Sequence, residues 1–447
     1  MFLKRIETRG LAHFSYLVAS DGQAFVIDPR YEVGVYLDIC AEENLRLTHI
    51  FETHRNEDIL SGAGKLAQLT GAEVFISRYE DLGYQYGRPT GEEDRFAFGS
   101  ELVLRPLHTP GHTLGHLSYA LYENRQPYMV FTGDALFYGG IGRTDFYGQD
   151  RLDEMTRKLH HSIYHKLAPL GEEVLVMPAH GHGSACGAQI ALRDQGTLGY
   201  ELQHNPALHE DADQFVKANA RMLYKNHAFV TMEKLNLLGG GVAGITFPQP
   251  LDAVPEDVVI ADIRDRYAFS GAHIPGSLHL PAQTISAFAG WFVDTDAPIA
   301  LMCDNVPQAL TQDALRALTC QGFHNIRGLL CADTLIGLET QGEALDRLDT
   351  ISARDYLEQA PKEAGVVTLD VREKEEQMDD DPVVGSLLIP YQELSRRLEE
   401  VPPGQPLYVL CGSGGRATAA AAFLKKSGAH AHPTVIAGGI EGLRSLA

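Results

Sequence analysis

Two groups of residues in this 447-residue chain have types and spacings suited to chemistry. The first is a cysteine loop in the segment YVLCGSGGRATAAAAFLKKSG, where an apolar run ends at Cys411, small residues Gly412, Ser413, Gly414 and Gly415 follow, and Arg416 opens an Ala-rich helix that stops at Gly428. Such a loop can turn its backbone N–H groups inward around the sulfur. The helix N-terminus and Arg416 add positive potential, which favours thiolate over thiol and would stabilise a persulfide held there. The second group is four segments rich in metal-ligand types: Thr53-His54 through Asp58, His108-Thr-Pro-Gly-His112, Thr132-Gly-Asp134, and Pro178-Ala-His180-Gly-His182.

Positioning these groups requires an α/β chain. Over residues 1 to about 195, short apolar runs (FSYLVAS, AFVIDP, THIFETH, EVFIS, LVLRPLHTP, YMVFTGDAL, EVLVMPAH) alternate with helical stretches, VGVYLDICAEEN and GAGKLAQLTG. Several of the runs end in His or Asp, placing those side chains at strand ends. A polar segment, DADQFVKANARMLYKN, reads as helical, and LLGGGVAGITFPQP carries the Gly and Pro punctuation of a linker, with a boundary near residue 245. Beyond it lies an internal repeat. Asp262-Ile-Arg264 returns as Asp370-Val-Arg372, and Cys303 returns as Cys411, so Asp and Cys are 41 residues apart in both copies. GSLHLP and GSLLIP lie between them. Three domains are expected: 1–245, 246–347 and 348–447.

The cysteine loop, with Asp370-Val-Arg372 and Gly385-Ser-Leu-Leu-Ile-Pro390, resembles single-domain rhodaneses, sulfurtransferases that carry sulfane sulfur on that cysteine; cysteine-dependent phosphatases share only the loop pattern. Pro382-Val-Val stands where the family usually has His-Ile-Pro, a departure in a peripheral turn. The middle copy keeps the frame and the better-matched Gly271-Ala-His-Ile-Pro-Gly276, but its loop reads Cys303-Asp-Asn-Val-Pro-Gln308. Gln308 replaces the Arg, Asp304 repels an anion and Pro307 removes an N–H, so this domain is read as retained for structure or docking.

The first domain resembles the metallo-β-lactamase superfamily, most specifically in TPGHT and in GDALFYGGIGRTDF. The resemblance implies an αββα sandwich with a metal at one edge, followed by two rhodanese-like α/β domains with parallel sheets. Glyoxalase II and related hydrolases hold two metals with H-x-H-x-D-H; here Asn56 and Ile59 occupy two of those ligand positions, so a second metal at Asp58 and His180 is not expected. What remains is His54, His112 and Asp134. Two imidazoles and one carboxylate with open positions suit Fe, Zn or Mn, and are the arrangement of non-haem Fe(II) oxygenases. The resemblance to persulfide dioxygenases favours a mononuclear Fe(II), with zinc able to substitute. It further implies a low-molecular-weight persulfide, glutathione persulfide or similar, and O2 as substrates, with sulfite or thiosulfate as product and sulfide detoxification as the setting.

Tyr138 and Arg143 are the candidate substrate contacts, Arg143 through a fork on a carboxylate, its other reading being an internal pair with Asp145. Cys186 is read as a small residue in a glycine-rich turn rather than a sulfur relay. Cys411 is expected to be the accessible reactive thiol. The alternatives are a glyoxalase II-like thioester hydrolase and a metal-free sulfur carrier. A formal charge of −22 disfavours nucleic acid as a partner. No apolar run reaches about 18 residues, so no membrane span is expected. Six scattered cysteines without a CxxC pair fit a reduced cytoplasm, and a homo-oligomer is the expected state.

Overall fold

A computed structural model describes residues 1–184, 190–239, 247–303, 306, 308–362, 365–378, 381–383 and 385–446. The chain divides into two compact units, Met1–Ile245 with Cys320–Gly322, and Thr246–Thr319 with Phe323–Ala447. No helix among the described residues is long and apolar enough to cross a membrane.

The first unit is built on two sheets. One has six strands in the order Phe2–Thr8, His13–Ser20, Gln23–Ile27, Arg46–Phe51, Glu73–Ser77 and Arg88–Thr90. The other has five, in the order Leu175–Pro178, Gln126–Gly133, Leu117–Glu123, Leu102–His108 and Phe96–Phe98. Strand alternation explains the layering. Along His13–Ser20, Phe14, Tyr16 and Val18 face the second sheet and join Leu104, Tyr119 and Phe131 in a central core. Leu17 and Ala19 face the other way, onto Tyr36 of helix Gly34–Glu42 and Leu66 of helix Ala63–Thr70. The outer face of the second sheet is covered by helix Leu152–Ser162, through Leu159 packed on Ala120, Val130 and Val176. The result is an αββα sandwich.

The polar segment after residue 210 is helical only over Ala212–Asn219, and a separate helix, His227–Leu237, starts at the Asn226 cap. Residues 240–246, where the sequence places a linker, lie outside the described residues, as does Cys186.

The second unit contains the two repeats, each with an all-parallel sheet. The first sheet runs Leu278–His279, Val259–Asp262, Ile299–Met302, Ile326–Leu330; the second runs Ser386–Leu388, Val367–Asp370, Leu407–Leu410, Pro433–Ala437, Asp349–Ser352. The two motifs are placed alike: Asp262 is in register with Met302, and Asp370 with Leu410, so each cysteine follows the residue beside its aspartate. Both Asp-x-Arg motifs fold into buried forks, Arg264 on Asp262 and Arg372 on Asp370, with Nη2–Oδ2 distances of 2.6 and 2.7 Å. They therefore pin the sheet rather than meet a substrate.

Candidate metal centre and cysteine loop

Three strand ends and one loop bring the metal-ligand candidates together. His54 follows strand Arg46–Phe51, His112 lies in the loop after Leu102–His108, Asp134 follows Gln126–Gly133, and His180 follows Leu175–Pro178. His54, His112 and Asp134 offer ligand atoms that all lie within 4.8 Å of one another, in buried positions. His54 Nε2 is 3.8 Å and His112 Nε2 is 3.5 Å from Asp134 Oδ2. None of these three atoms has a hydrogen-bond partner among the described residues. Leaving three buried polar atoms aimed at one another and unpaired is costly unless a cation joins them.

Each ligand is oriented from behind. Thr53 Oγ1 lies 2.9 Å from His54 Nδ1 and itself donates to Asp28, whose other oxygen takes the Thr53 N–H. His112 Nδ1 donates to the Arg143 carbonyl at 2.9 Å. Asp134 Oδ1 accepts from His180 Nδ1 at 2.7 Å, leaving Oδ2 for the centre. Partners of this kind fix the tautomer and ring direction of metal-binding imidazoles. Burial, reinforced by the imidazoles of His112, His116 and His180, holds His54 neutral, the state that binds a metal. At His112 burial opposes protonation, but Glu57 and Asp134 carry the net shift upward, which marks the point as one that favours a cation.

The positions of a second metal are arranged differently. Ile59 is buried and apolar. His180 Nε2 lies 3.1 Å from Asp58 Oδ2, an ion-pair contact, while its other nitrogen is spent on Asp134. Burial opposes a charge on His180, but Asp134 and Asp58 raise its pKa well above the usual value.

Glu57 was not legible as a site residue. Its carboxylate is fully buried, Oε1 is held by Arg55, and Oε2 points at His112 Nε2 from 3.7 Å with no hydrogen bond. A narrow cleft reaches His54 and is lined by Glu52, Arg55, Glu80, Tyr84 and Thr113.

The two residues expected to contact substrate are placed elsewhere. Tyr138 lies in the core under the second sheet, 1% exposed, its hydroxyl donating to the Val176 carbonyl. Of the two partners open to Arg143, Asp145 is the one it holds, through two 2.7 Å hydrogen bonds, with Nη2 and Nη1 also donating to the carbonyls of Leu223 and Tyr224. What Arg143 gives the centre is its backbone carbonyl. The guanidinium lining the cleft belongs to Arg55.

Gly142 closes this arrangement. A Cβ there would run into the Asp134 carbonyl and stand 3.1 Å from His112 Nδ1. Gly142→Ala is therefore expected to cut metal content to less than half of wild type while the far-UV circular dichroism stays unchanged. Full metal loading in that variant would show that the loop yields freely.

In the last repeat, Cys411 ends strand Leu407–Leu410 and helix Gly415–Ser427 begins after the loop. The Gly414 N–H donates to Cys411 Sγ at 3.1 Å, from a glycine with φ of 107°. Cys411 is 1% exposed, so the expectation of an accessible thiol is corrected: the residue continues a central strand whose side chain packs with Ala417 and Ala420 of the following helix. Arg416 is forked on Glu376, Nη1 to Oε2 at 2.6 Å and Nη2 to Oε1 at 2.5 Å, and that pair is the main reason its guanidinium is held still more firmly charged. In the middle repeat, Cys303 Sγ donates to the Leu330 carbonyl at 3.4 Å, and Gln308 opens helix Gln308–Cys320. Asp304 and Pro307 lie outside the described residues.

Residues 8–180 match the family described as Metallo-beta-lactamase superfamily, and residues 249–330 and 353–446 each match the Rhodanese-like domain. Persulfide dioxygenase ETHE1, mitochondrial, of Homo sapiens is 32% identical over 209 residues, which cover 46% of this chain and 74% of that protein. Hydroxyacylglutathione hydrolase GloC of Haemophilus influenzae is 32% identical over 204 residues, covering 41% and 87%. Among solved structures, a metallo-beta-lactamase from Staphylococcus aureus subsp. aureus COL aligns with a TM-score of 0.67 at 28% identity, over 74% of this chain and 99% of that one. The fold and the buried ligand set define a metallo-β-lactamase-type metal domain. The chain belongs to that superfamily as a fusion with two rhodanese-like domains, and its N-terminal region is homologous to the ETHE1 persulfide dioxygenases.

Proposed function

We propose that the chain oxidises a low-molecular-weight thiol persulfide, glutathione persulfide or similar, to sulfite and free thiol at a mononuclear iron held by His54, His112 and Asp134, and transfers sulfane sulfur at Cys411. The observation that carries this reading is the convergence of three buried, unpartnered ligand atoms in a chain whose second-metal positions hold Ile59 and an Asp58–His180–Asp134 chain. The net reaction is R–S–SH + O2 + H2O giving R–SH, sulfite and two protons, with the S–S bond broken and the terminal sulfur oxidised.

Iron(II) in this set would supply redox chemistry with O2 and a contact for sulfur. The protein's part is to fix the geometry. Thr53 and the Arg143 carbonyl hold the two imidazoles by their Nδ1 atoms, and His180 restricts Asp134 to one outward oxygen. All three residues are 3% exposed or less, with the cleft at His54 as an approach to them. At Cys411, the thiolate attacks the sulfane sulfur of a donor persulfide, releasing the thiol. The sulfur then passes to an acceptor thiol or to sulfite, which gives thiosulfate and restores the cysteine.

A thioester hydrolase is the second reading, favoured by the likeness to hydroxyacylglutathione hydrolase GloC. Metal analysis separates the two. Protein purified without added metal is expected to contain about one iron per chain and to consume O2 with glutathione persulfide. Two tightly held zinc ions with thioester hydrolysis would establish the hydrolase instead.

A further inference from the structure

The loop around Cys411 is held from outside by the other repeat. Arg266, on the short helix Arg266–Gly271 of the first repeat, donates from Nη1 to the Ser413 carbonyl at 2.6 Å. The Gly414 N–H of that same peptide unit donates to Cys411 Sγ. In a planar trans peptide the C=O and N–H point in opposite directions, so a cation fixed on the oxygen holds the amide on the sulfur and polarises it. Gly414 fits both demands. Its φ of 107° suits glycine, and a Cβ there would come within 2.8 Å of Arg266 Nη1.

Nothing else described in the loop does this. Arg416 is engaged with Glu376. The contact with Arg266 is also well supported, because the two repeats share packing. Phe269, one turn along from Arg266, lies in the core of the last repeat with Leu369, Val409 and Cys411. Lys426 of the helix after the loop donates to the Gly276 carbonyl at 2.9 Å, and Lys425 to Asp346 at 2.7 Å.

We propose that Arg266 is a positioning residue for Cys411, supplied by the repeat whose own loop has Gln308 in place of the arginine, and that it acts by clamping the Ser413–Gly414 peptide with its N–H on the sulfur. The proposal rests on reading Cys411 as the sulfur carrier. The charged and titratable groups around the sulfur are Arg416, Glu376, Tyr391, Glu441 and Arg266. Among the described residues of the first repeat, Arg266 is the one that hydrogen-bonds the loop.

The test is the pH profile of Cys411 alkylation by iodoacetamide in the full-length protein, followed by mass spectrometry of the Cys411 peptide. Arg266→Ala is expected to move the midpoint upward by about half a unit or more, because a hydrogen bond that favours the charged sulfur is loosened. Arg266→Lys should recover most of that shift, since it keeps a charged donor. Lys426→Ala, which removes a different link between the repeats, should leave the midpoint in place. A superimposable profile in Arg266→Ala would overturn the proposal, and so would an equal shift in Lys426→Ala, which would point to general loosening. The alkylation readout needs no sulfur transfer. Failure of wild type to load sulfur on Cys411 would therefore count against the sulfurtransfer reading and leave the Arg266 result standing on its own.

Discussion

Asp134→Ala is expected to lose its metal and to consume O2 with glutathione persulfide more than ~100-fold more slowly than wild type, a loss beyond the 10–100-fold typical of residues that only orient a ligand. Asp134 is singled out because it has two jobs. Oδ2 faces His54 Nε2 and His112 Nε2, and Oδ1 anchors His180, which in turn meets Asp58. Removing the carboxylate takes away a ligand and also leaves His180 with a negative partner on one side only. His112→Ala should give the same loss through a single route, because its Nδ1 is fixed only to a backbone carbonyl. Cys411→Ser should leave O2 uptake intact, since Cys411 belongs to the other compact unit. The measurement is oxygen-electrode turnover beside metal content and circular dichroism. If folded Cys411→Ser protein also stopped consuming O2, the two chemistries would be obligately coupled and the independent-site reading would be wrong.

The sequence carried the strand ends better than it carried the directions of side chains. His54 and Asp134 could be picked out because a ligand just past a strand end needs only its type and its strand, and His112 because its loop is short; all of these are local. The repeat was equally legible, since Asp and Cys recur at one spacing and both copies place them on adjacent strands in the same register. Tyr138 and Arg143 came from a segment that runs beside the ligand cluster, which Arg143 meets through its backbone carbonyl. Which face each side chain takes is set by the short pair Leu136–Phe137 and Gly140–Ile141, and by the core beneath it. That is tertiary information. Glu57 was harder to read because it matches no ligand position of the paired-metal pattern; the available signal is a polar run, Asn56-Glu57-Asp58, that the fold buries. The polar stretch after residue 210 failed for a different reason. Polarity does not distinguish a continuing helix from an extended chain, and the helix ends at Asn219, whose side chain bonds to the carbonyls of Phe215 and Ala207.

Thiosulfate or glutathione persulfide is expected to add one sulfur atom, about 32 mass units, to the Cys411 peptide and not to the Cys303 peptide. The two sulfurs sit in opposite hydrogen-bonding roles. Cys411 Sγ accepts the Gly414 N–H, an arrangement that supports negative charge on the sulfur, whereas Cys303 Sγ donates to the Leu330 carbonyl, an arrangement that needs its proton. The loops differ in the same sense, Arg416 standing where Gln308 stands in the first repeat. Arg416→Ala should slow loading at least ~10-fold, the scale of one lost charge-assisted contact, and Gln308→Ala should change it little. The charge of Arg416 is what acts here, so Glu376→Gln, which weakens the fork and keeps the guanidinium charged, should not reproduce the loss. Equal labelling of both cysteines, or labelling of Cys303 alone, would reverse the assignment of the active repeat. Loading that survives Arg416→Ala but falls in Arg266→Ala would shift the main electrostatic role from the loop's own arginine to the one reaching in from the first repeat.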